Sequence, residues 1–327
     1  VPAARLLRRT CGLGPHCLQW VHLIMRSERV SPSRDLALVC LCLLLAPVLG
    51  GCRPAESPVW QPVSDGIKPQ SDVVFVSISP RDPQTLFLGT YEPGGLYRST
   101  DGANSWQRSS DGLEGVTVLS LAPSPTDEQF ILAGTVYGGY ESSNGGQTWT
   151  PLPALPATWI YTLAWAPDGS VVYAGTEGLG VYLSTDDGET WRSTGPEGVS
   201  VLSLAVAPSG TVYAGTSGQG LWQSHDGGAS WQAAAELHGT FVPNLSATSS
   251  GSVWALADGL LYASDDGGQT WQEAGPDGWL ARSMAVDPLA GQVIYAGGRD
   301  EGIAFSSNGG QSWEIVESHL LESDIAC

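Results

Sequence analysis

Between residues 73 and 316 the chain alternates short apolar runs with polar, glycine-rich breaks, and the alternation itself repeats. One period reads "VLSLAVAP" (Val201 to Pro208), then "TVYAGT" (Thr211 to Thr216), then "GLWQS" (Gly220 to Ser224), then a polar turn, then "SWQAA" (Ser230 to Ala234). Each run has the length of a strand and is rich in Val, Leu, Tyr and Trp, with Gly, Pro and Asp between runs. The first run is nearly all apolar, which marks a strand buried on both faces. Four strands per period, built without helices, predict an all-β fold.

The polar turn fixes the period. "STDGANSW" ends at Trp106, "SSNGGQTW" at Trp149, "STDDGETW" at Trp191, "SHDGGASW" at Trp231, "SDDGGQTW" at Trp271 and "SSNGGQSW" at Trp313. The tryptophans lie 43, 42, 40, 40 and 42 residues apart, a spacing that signals a repeat architecture. Antiparallel four-stranded sheets stacked radially at that period make a β-propeller. These turns resemble the Asp-box repeat, also called the bacterial neuraminidase repeat, of pattern S-x-D-x-G-x-T-W. The resemblance spans Val73 to Val316. It implies a fold shared by sialidases, xyloglucan-cleaving hydrolases, sortilin-type receptors and photosystem II assembly factors, and it leaves function open, because that fold hosts enzymes and binders alike.

The expected architecture is six full repeats plus partial strands of a seventh blade. "VWQPVSDGI" (Val59 to Ile67) matches the outer-strand segment "SWQRSSDGL" (Ser105 to Leu113), and "ESDIAC" at the C-terminus matches the start of another innermost strand. A chain truncated after Cys327 would leave that seventh blade without its middle strands. The alternative is a six-bladed ring with two peripheral strands.

Within the boxes the first serine (Ser99, Ser142, Ser184, Ser224, Ser264, Ser306) and the tryptophan (Trp106, Trp149, Trp191, Trp231, Trp271, Trp313) never vary. The acid position holds Asp101, Asp186, Asp226 and Asp266 in four copies but Asn144 and Asn308 in two. A catalytic carboxylate or strong metal ligand does not exchange for an amide. A turn-former does, since Asp and Asn oxygens both accept hydrogen bonds from backbone N–H groups two or three residues on. The box is therefore read as a structural turn, with its tryptophan wedged between sheets. It also lacks the alternating oxygens and terminal glutamate of a calcium loop, so no metal and no cofactor is expected.

Composition narrows the partners. The net charge of −19 disfavours a nucleic-acid partner, whose phosphates such a surface repels. All six cysteines lie at or before Cys52 or at Cys327, so the repeat region has neither a disulfide framework nor a thiolate zinc site. Met25 opens a segment with Arg26, Arg29 and Arg34, followed by a 14-residue apolar run, Leu36 to Leu49. That run is short for a membrane span of about 20 residues but suits a signal peptide. It ends in "LGGC", which resembles the lipobox of bacterial lipoproteins, with Cys52 as the lipidated residue. The expected organisation is an upstream extension over 1–24, a lipoprotein signal peptide over 25–51, a tether over 52–58 and the propeller over 59–327, held outside the cytoplasm by lipid in the membrane.

In propellers of this kind the boxes lie on one face and ligands approach the other. That opposite face is formed by the turns between second and third strands and by the links between blades. The repeat places Tyr91, Glu92, Tyr137, Glu177, Arg299, Asp300 and Glu301 in the former, and Trp159, Tyr161, Glu197, His238, Trp279 and Arg282 in the latter. Tyr91, Tyr137, Trp159, Tyr161 and Trp279, with Arg282 and Arg299, would form an aromatic rim for a glycan or a peptide; each aromatic can equally be a wedge between blades. A glycoside hydrolase would draw on Glu92, Glu177, Asp300 and Glu301, needing two carboxylates about 5–10 Å apart. The sialidase constellation of three arginines and an R-I-P motif is not matched, and the xyloglucan-cleaving relatives are longer, two-propeller chains. Non-catalytic binding or assembly is the expected role, with the hydrolase as the alternative.

Overall fold

A computed structural model describes residues 66–67, 73–91, 95–298 and 302–316. These form 24 strands in six four-stranded antiparallel sheets. Blade 1 shows the plan: β1 (Val73–Ile78) innermost, β2 (Leu86–Thr90), β3 (Gly95–Ser99) and β4 (Gln107–Arg108) at the outer edge. Blades 2 to 6 repeat it over residues 118–152, 160–195, 201–233, 244–273 and 281–316. β1 is buried along its whole length, as its apolar run requires, whereas both residues of β4 are exposed. Innermost strands β1, β5 (Val118–Pro123), β9 (Ile160–Trp165), β13 (Val201–Val206), β17 (Asn244–Ala247) and β21 (Ala281–Val286) pack in chain order, each on the next. Among the described residues no comparable packing joins β21 back to β1.

The six-bladed propeller is thus established, and a seventh blade is not among the described residues. Cys52, the Trp60 segment and "ESDIAC" also lie outside them. One described fragment bears on the N-terminal match. Gly66 (φ +91°) lies so close over Trp106 that a Cβ on it would sit 2.0 Å from the Trp106 carbonyl oxygen. Gly112 (φ +90°) approaches the carbonyl of Trp149 to 2.1 Å in the same sense. Ile67 then packs beside Trp106 as Leu113 packs beside Trp149. The end of "VWQPVSDGI" therefore stands to blade 1 as the end of "SWQRSSDGL" stands to blade 2.

The boxes join the third strand of each blade to its fourth, as the repeat predicts. Each box serine hydroxyl accepts from the N–H four residues on: Ala103, Gly146, Gly188, Gly228, Gly268 and Gly310, at 2.7–2.9 Å. Each also donates to the Asp or Asn oxygen two residues on. That oxygen in turn accepts from the N–H just before the tryptophan, in the acidic boxes and the amide boxes alike. Only the last bond reverses: the Thr190 hydroxyl donates to Asp186 at 2.6 Å, whereas Asn144 Nδ2 donates to Thr148 at 2.8 Å. The Asp/Asn exchange is thereby explained.

Boxes also fasten one blade to the next. The indole N–H groups of Trp149, Trp231 and Trp313 donate to backbone carbonyls of Ser109, Thr194 and Ala274 in the preceding blade. Trp191 instead donates to Gly188 within its own box. Second-strand side chains of one blade lie under box glycines of the next: Phe87 under Gly146, Tyr213 under Gly268 and Trp254 under Gly310. Tyr173 and Tyr213 donate their hydroxyls to Gly227 and Gly267 in the following box.

Candidate functional site

Five innermost strands share an irregularity at the face opposite the boxes. The pairing of β1, β5, β9, β13 and β21 with its neighbour slips by one residue at the second position. Such a bulge re-aims the extra side chain. The extra residues are Val74, Leu119, Tyr161, Leu202 and Arg282. The four apolar ones belong to one continuous buried cluster with Phe241, running round the inner strands of blades 1 to 5. Arg282 holds the same place in blade 6 but is exposed. The turns on this face are stapled by a threonine: Thr90, Thr135, Thr176 and Thr216 each donate to the glycine carbonyl beyond their turn. Sequence reading passed over both features. Their signals were the "GT" dipeptide ending the second strand of blades 1 to 4 and the second residue of the innermost run in every blade but the fifth.

Large apolar side chains are exposed at seven described positions: Tyr91, Tyr137, Trp159, Leu179, Leu280, Leu289 and Ile315. The first five lie on turns and links of the face opposite the boxes, and four of those belong to blades 1 to 3. Tyr137 is the most exposed, at 67%. Its turn is set by the Thr135 hydroxyl, which accepts from the Tyr137 N–H at 3.0 Å. Next to it, a Cβ on Gly138 would meet the Pro156 carbonyl at 3.2 Å, so the Tyr137 turn abuts the link that carries Trp159.

Trp159, Tyr161 and Glu177 form a connected group. The Trp159 ring stands edge-on to Tyr161, with centroids 5.8 Å apart. The Tyr161 hydroxyl donates to Glu177 Oε1 at 3.3 Å. The Glu177 N–H donates to the Trp159 carbonyl at 2.9 Å, tying the turn of blade 3 to its incoming link. Trp159 stays 42% exposed and Glu177 is exposed, while the Tyr161 ring is buried beneath them.

The remaining candidates are dispersed. Trp279 is 5% exposed, packed on Gly298 so closely that a Cβ there would lie 2.2 Å from its Nε1. It is a wedge inside blade 6, with no face offered to solvent. Arg282 lies in that blade too, three blades from Glu177. Glu197 and His238 are exposed on separate links, and His225 shares a hydrogen bond with the Thr211 hydroxyl on the box side. Glu92, Arg299, Asp300 and Glu301 fall outside the described residues.

Electrostatic perturbation sits on the box side. Hydroxyl donors Thr190, Ser230 and Thr270, with backbone N–H groups and the box serines, push Asp186, Asp226 and Asp266 down to about 2. At Asp101, desolvation opposes the same set of bonds, and the carboxyl still ends below its ordinary value. Two clefts of about 390 and 160 Å³ also lie on the box side, at equivalent places between blades 5 and 6 and between blades 1 and 2. The larger contains Asp265, Asp266 and Glu273, but Asp266 is already committed to its turn. No cluster of three or more His, Cys, Asp or Glu suited to a metal occurs among the described residues, nor does any helix long and apolar enough to cross a membrane.

Six four-stranded blades fastened by one recurring turn define an Asp-box β-propeller. The BNR/Asp-box repeat profile matches residues 262–273, and the profile of the DUF6242 beta propeller domain matches residues 126–244. No curated protein matches the chain. Among solved structures, the GH74 xyloglucanase from Xanthomonas campestris is similar at 19% identity and a TM-score of 0.60, over 72% of this chain and 44% of its own. YCF48 bound to D1 peptide is similar at 19% identity and 0.56, over 71% of this chain and 78% of its own. The extracellular domain of a one-component system from B. thetaiotaomicron is similar at 17% and 0.60, over 77% of this chain and 34% of its own. At these identities the likeness is one of fold. The chain spans less than half of the xyloglucanase and of the one-component system protein, and about four-fifths of YCF48.

Proposed function

We propose that this propeller is a non-catalytic binding module that takes a peptide or glycan on the aromatic face of blades 1 to 3. The observation that carries this reading is the cluster of Tyr137, Trp159, Leu179 and Glu177 on adjoining turns, with its aromatic rings left in solvent. Exposed large apolar groups gathered on one face mark an interaction site. A catalytic role needs two facing carboxylates. Among the described residues of this face, the other exposed glutamates, Glu114 and Glu197, lie on different links from the Glu177 turn.

The reading includes export and a lipid anchor at Cys52, resting on the "LGGC" motif, and a seventh blade beside blade 1. For that blade, the support is the equivalence of Gly66–Ile67 with Gly112–Leu113 and the lack, among the described residues, of packing between β21 and β1 comparable to that between the other innermost strands. Mass spectrometry of the mature N-terminus tests the anchor; an intact peptide across Gly51–Cys52 would exclude it. A glycan array run beside a chromogenic glycoside screen tests the role. Binding lost in Trp159→Ala without turnover is the expected result. Turnover abolished by Glu177→Gln would instead establish the alternative, a glycoside hydrolase.

A further inference from the structure

We infer that the Trp159–Glu177 group recognises a cationic side chain, an arginine or lysine of an extended peptide. This rests on the binding role proposed above and names the chemistry of that same site.

The indole of Trp159 packs edge-to-face with Tyr161 and keeps 42% of its surface in solvent, which leaves part of the ring open to a ligand. An indole face is the strongest aromatic partner for a cation. Beside it, the Glu177 carboxylate takes one hydrogen bond, from Tyr161 to Oε1, and Oε2 accepts none from the described residues. Tyr161 and the backbone bond from Glu177 to Trp159 hold ring and carboxylate at a fixed relation. A π face next to a half-satisfied carboxylate matches a guanidinium or ammonium that stacks on one and donates to the other.

The surrounding charge points the same way. Five arginines are described: Arg81, Arg98, Arg108, Arg192 and Arg282. Arg81 pairs with Glu128 on the box side, Arg98, Arg108 and Arg192 sit in third and fourth strands, and Arg282 is in blade 6. On the turn-and-link face of blades 1 to 3, Glu114, Glu177 and Glu197 are exposed; the Arg108 guanidinium reaches the Gly95 turn of blade 1 and attracts Glu114, so the acids with no described arginine on their own turns or links are Glu177 and Glu197. A neutral sugar stacked on Trp159 would gain nothing from that unbalanced field. A cation gains in both encounter rate and affinity.

Calorimetric titration of the full chain with three probes tests the inference. They are a nonapeptide of glycine alternating with arginine and tyrosine, the same peptide with citrulline for arginine, and cellohexaose. Citrulline keeps the shape and hydrogen-bonding amide of arginine and removes its charge. The arginine peptide is expected to bind at least about tenfold more tightly than its citrulline form. Trp159→Ala should weaken it roughly 3- to 30-fold, and Glu177→Gln about tenfold. Asp265→Asn, on the opposite face, should leave it unchanged. Citrulline binding within twofold, or Trp159-dependent binding of cellohexaose alone, would overturn the cation inference while leaving the binding role intact. No Trp159-dependent binding of any probe would overturn both.

Discussion

Gly146→Ala isolates what the box glycine does. Its φ of +84° lies in the left-handed region, where an alanine costs about 1 kcal/mol. The new Cβ would also sit 2.8 Å from Phe87 Cε1 and 3.5 Å from Phe87 Cζ. Phe87 is 1% exposed in β2 of the preceding blade and has no space to retreat into, so the overlap adds about 1–3 kcal/mol. The sum, about 2–4 kcal/mol, should lower the urea midpoint by roughly 1 M, followed by tryptophan fluorescence. Blade 1 provides the comparison within the same molecule. Its box carries Ala103 at this position, at φ +67°, and no blade preceding it is described. Ala103→Gly should therefore change stability by less than about 1 kcal/mol. Phe87→Leu should suppress part of the Gly146→Ala loss, because Leu132 leaves 3.5 Å at the equivalent Gly188. A Gly146→Ala loss below about 1 kcal/mol, or no suppression by Phe87→Leu, would refute the idea that the glycine serves contact between blades.

Ser184→Ala should cost about 1–3 kcal/mol, because the buried Gly188 N–H loses its acceptor; urea titration against Thr185→Ala, at an exposed position outside the network, measures it. Acid should destabilise the fold as pH falls from about 4 toward 2: the folded pKa values of Asp186, Asp226 and Asp266 lie below the ordinary 3.8, so their contribution is complete above that value and is lost through the lower one. Replacing all three with Asn should flatten that dependence, since the boxes of Asn144 and Asn308 keep the turn without a titrating group. Trp279→Ala should cost about 3–5 kcal/mol in thermal or urea unfolding and leave ligand affinity unchanged, the opposite of Trp159→Ala.

Repetition made the scaffold legible. Six boxes reveal by their Asp/Asn exchange that the acid is a hydrogen-bond acceptor, a conclusion no single copy allows. The four-strand plan follows from turn residues at fixed offsets. The loop face was less legible, because burial there depends on which element packs above. Trp159 and Trp279 both sit on links one or two residues before an innermost strand, and they look alike as letters. Trp279 finds Gly298 in its own blade, whose missing side chain opens a slot, and it sinks; Trp159 meets Tyr161, which already fills the space below, and it stays outside. Tyr161 itself was expected on the rim and is buried because the bulge in β9 turns it into the inner cluster.

The two faces divide the work along each repeat. On the box face the serine and the acid or amide are spent on the turn in every copy, serine to the N–H four residues on and acid or amide to the N–H before the tryptophan, and in three copies the indole bonds to the neighbouring blade. That leaves the carboxylates most strongly shifted in pKa, Asp186, Asp226 and Asp266, without a free oxygen for chemistry. On the opposite face the threonine staple of blades 1 to 4 fixes only the ends of the turn, and blade 5 does without it, so the residues between are free to differ from blade to blade. They do differ: Tyr137, Glu177 and Leu179 have as counterparts Ser217 and Gln219 in blade 4 and Asp258 in blade 5. A repeat that holds one face constant and varies the other can evolve a binding surface without disturbing its fasteners. The aromatic and acidic residues concentrated over blades 1 to 3 are therefore the part of this chain whose chemistry the fold does not require.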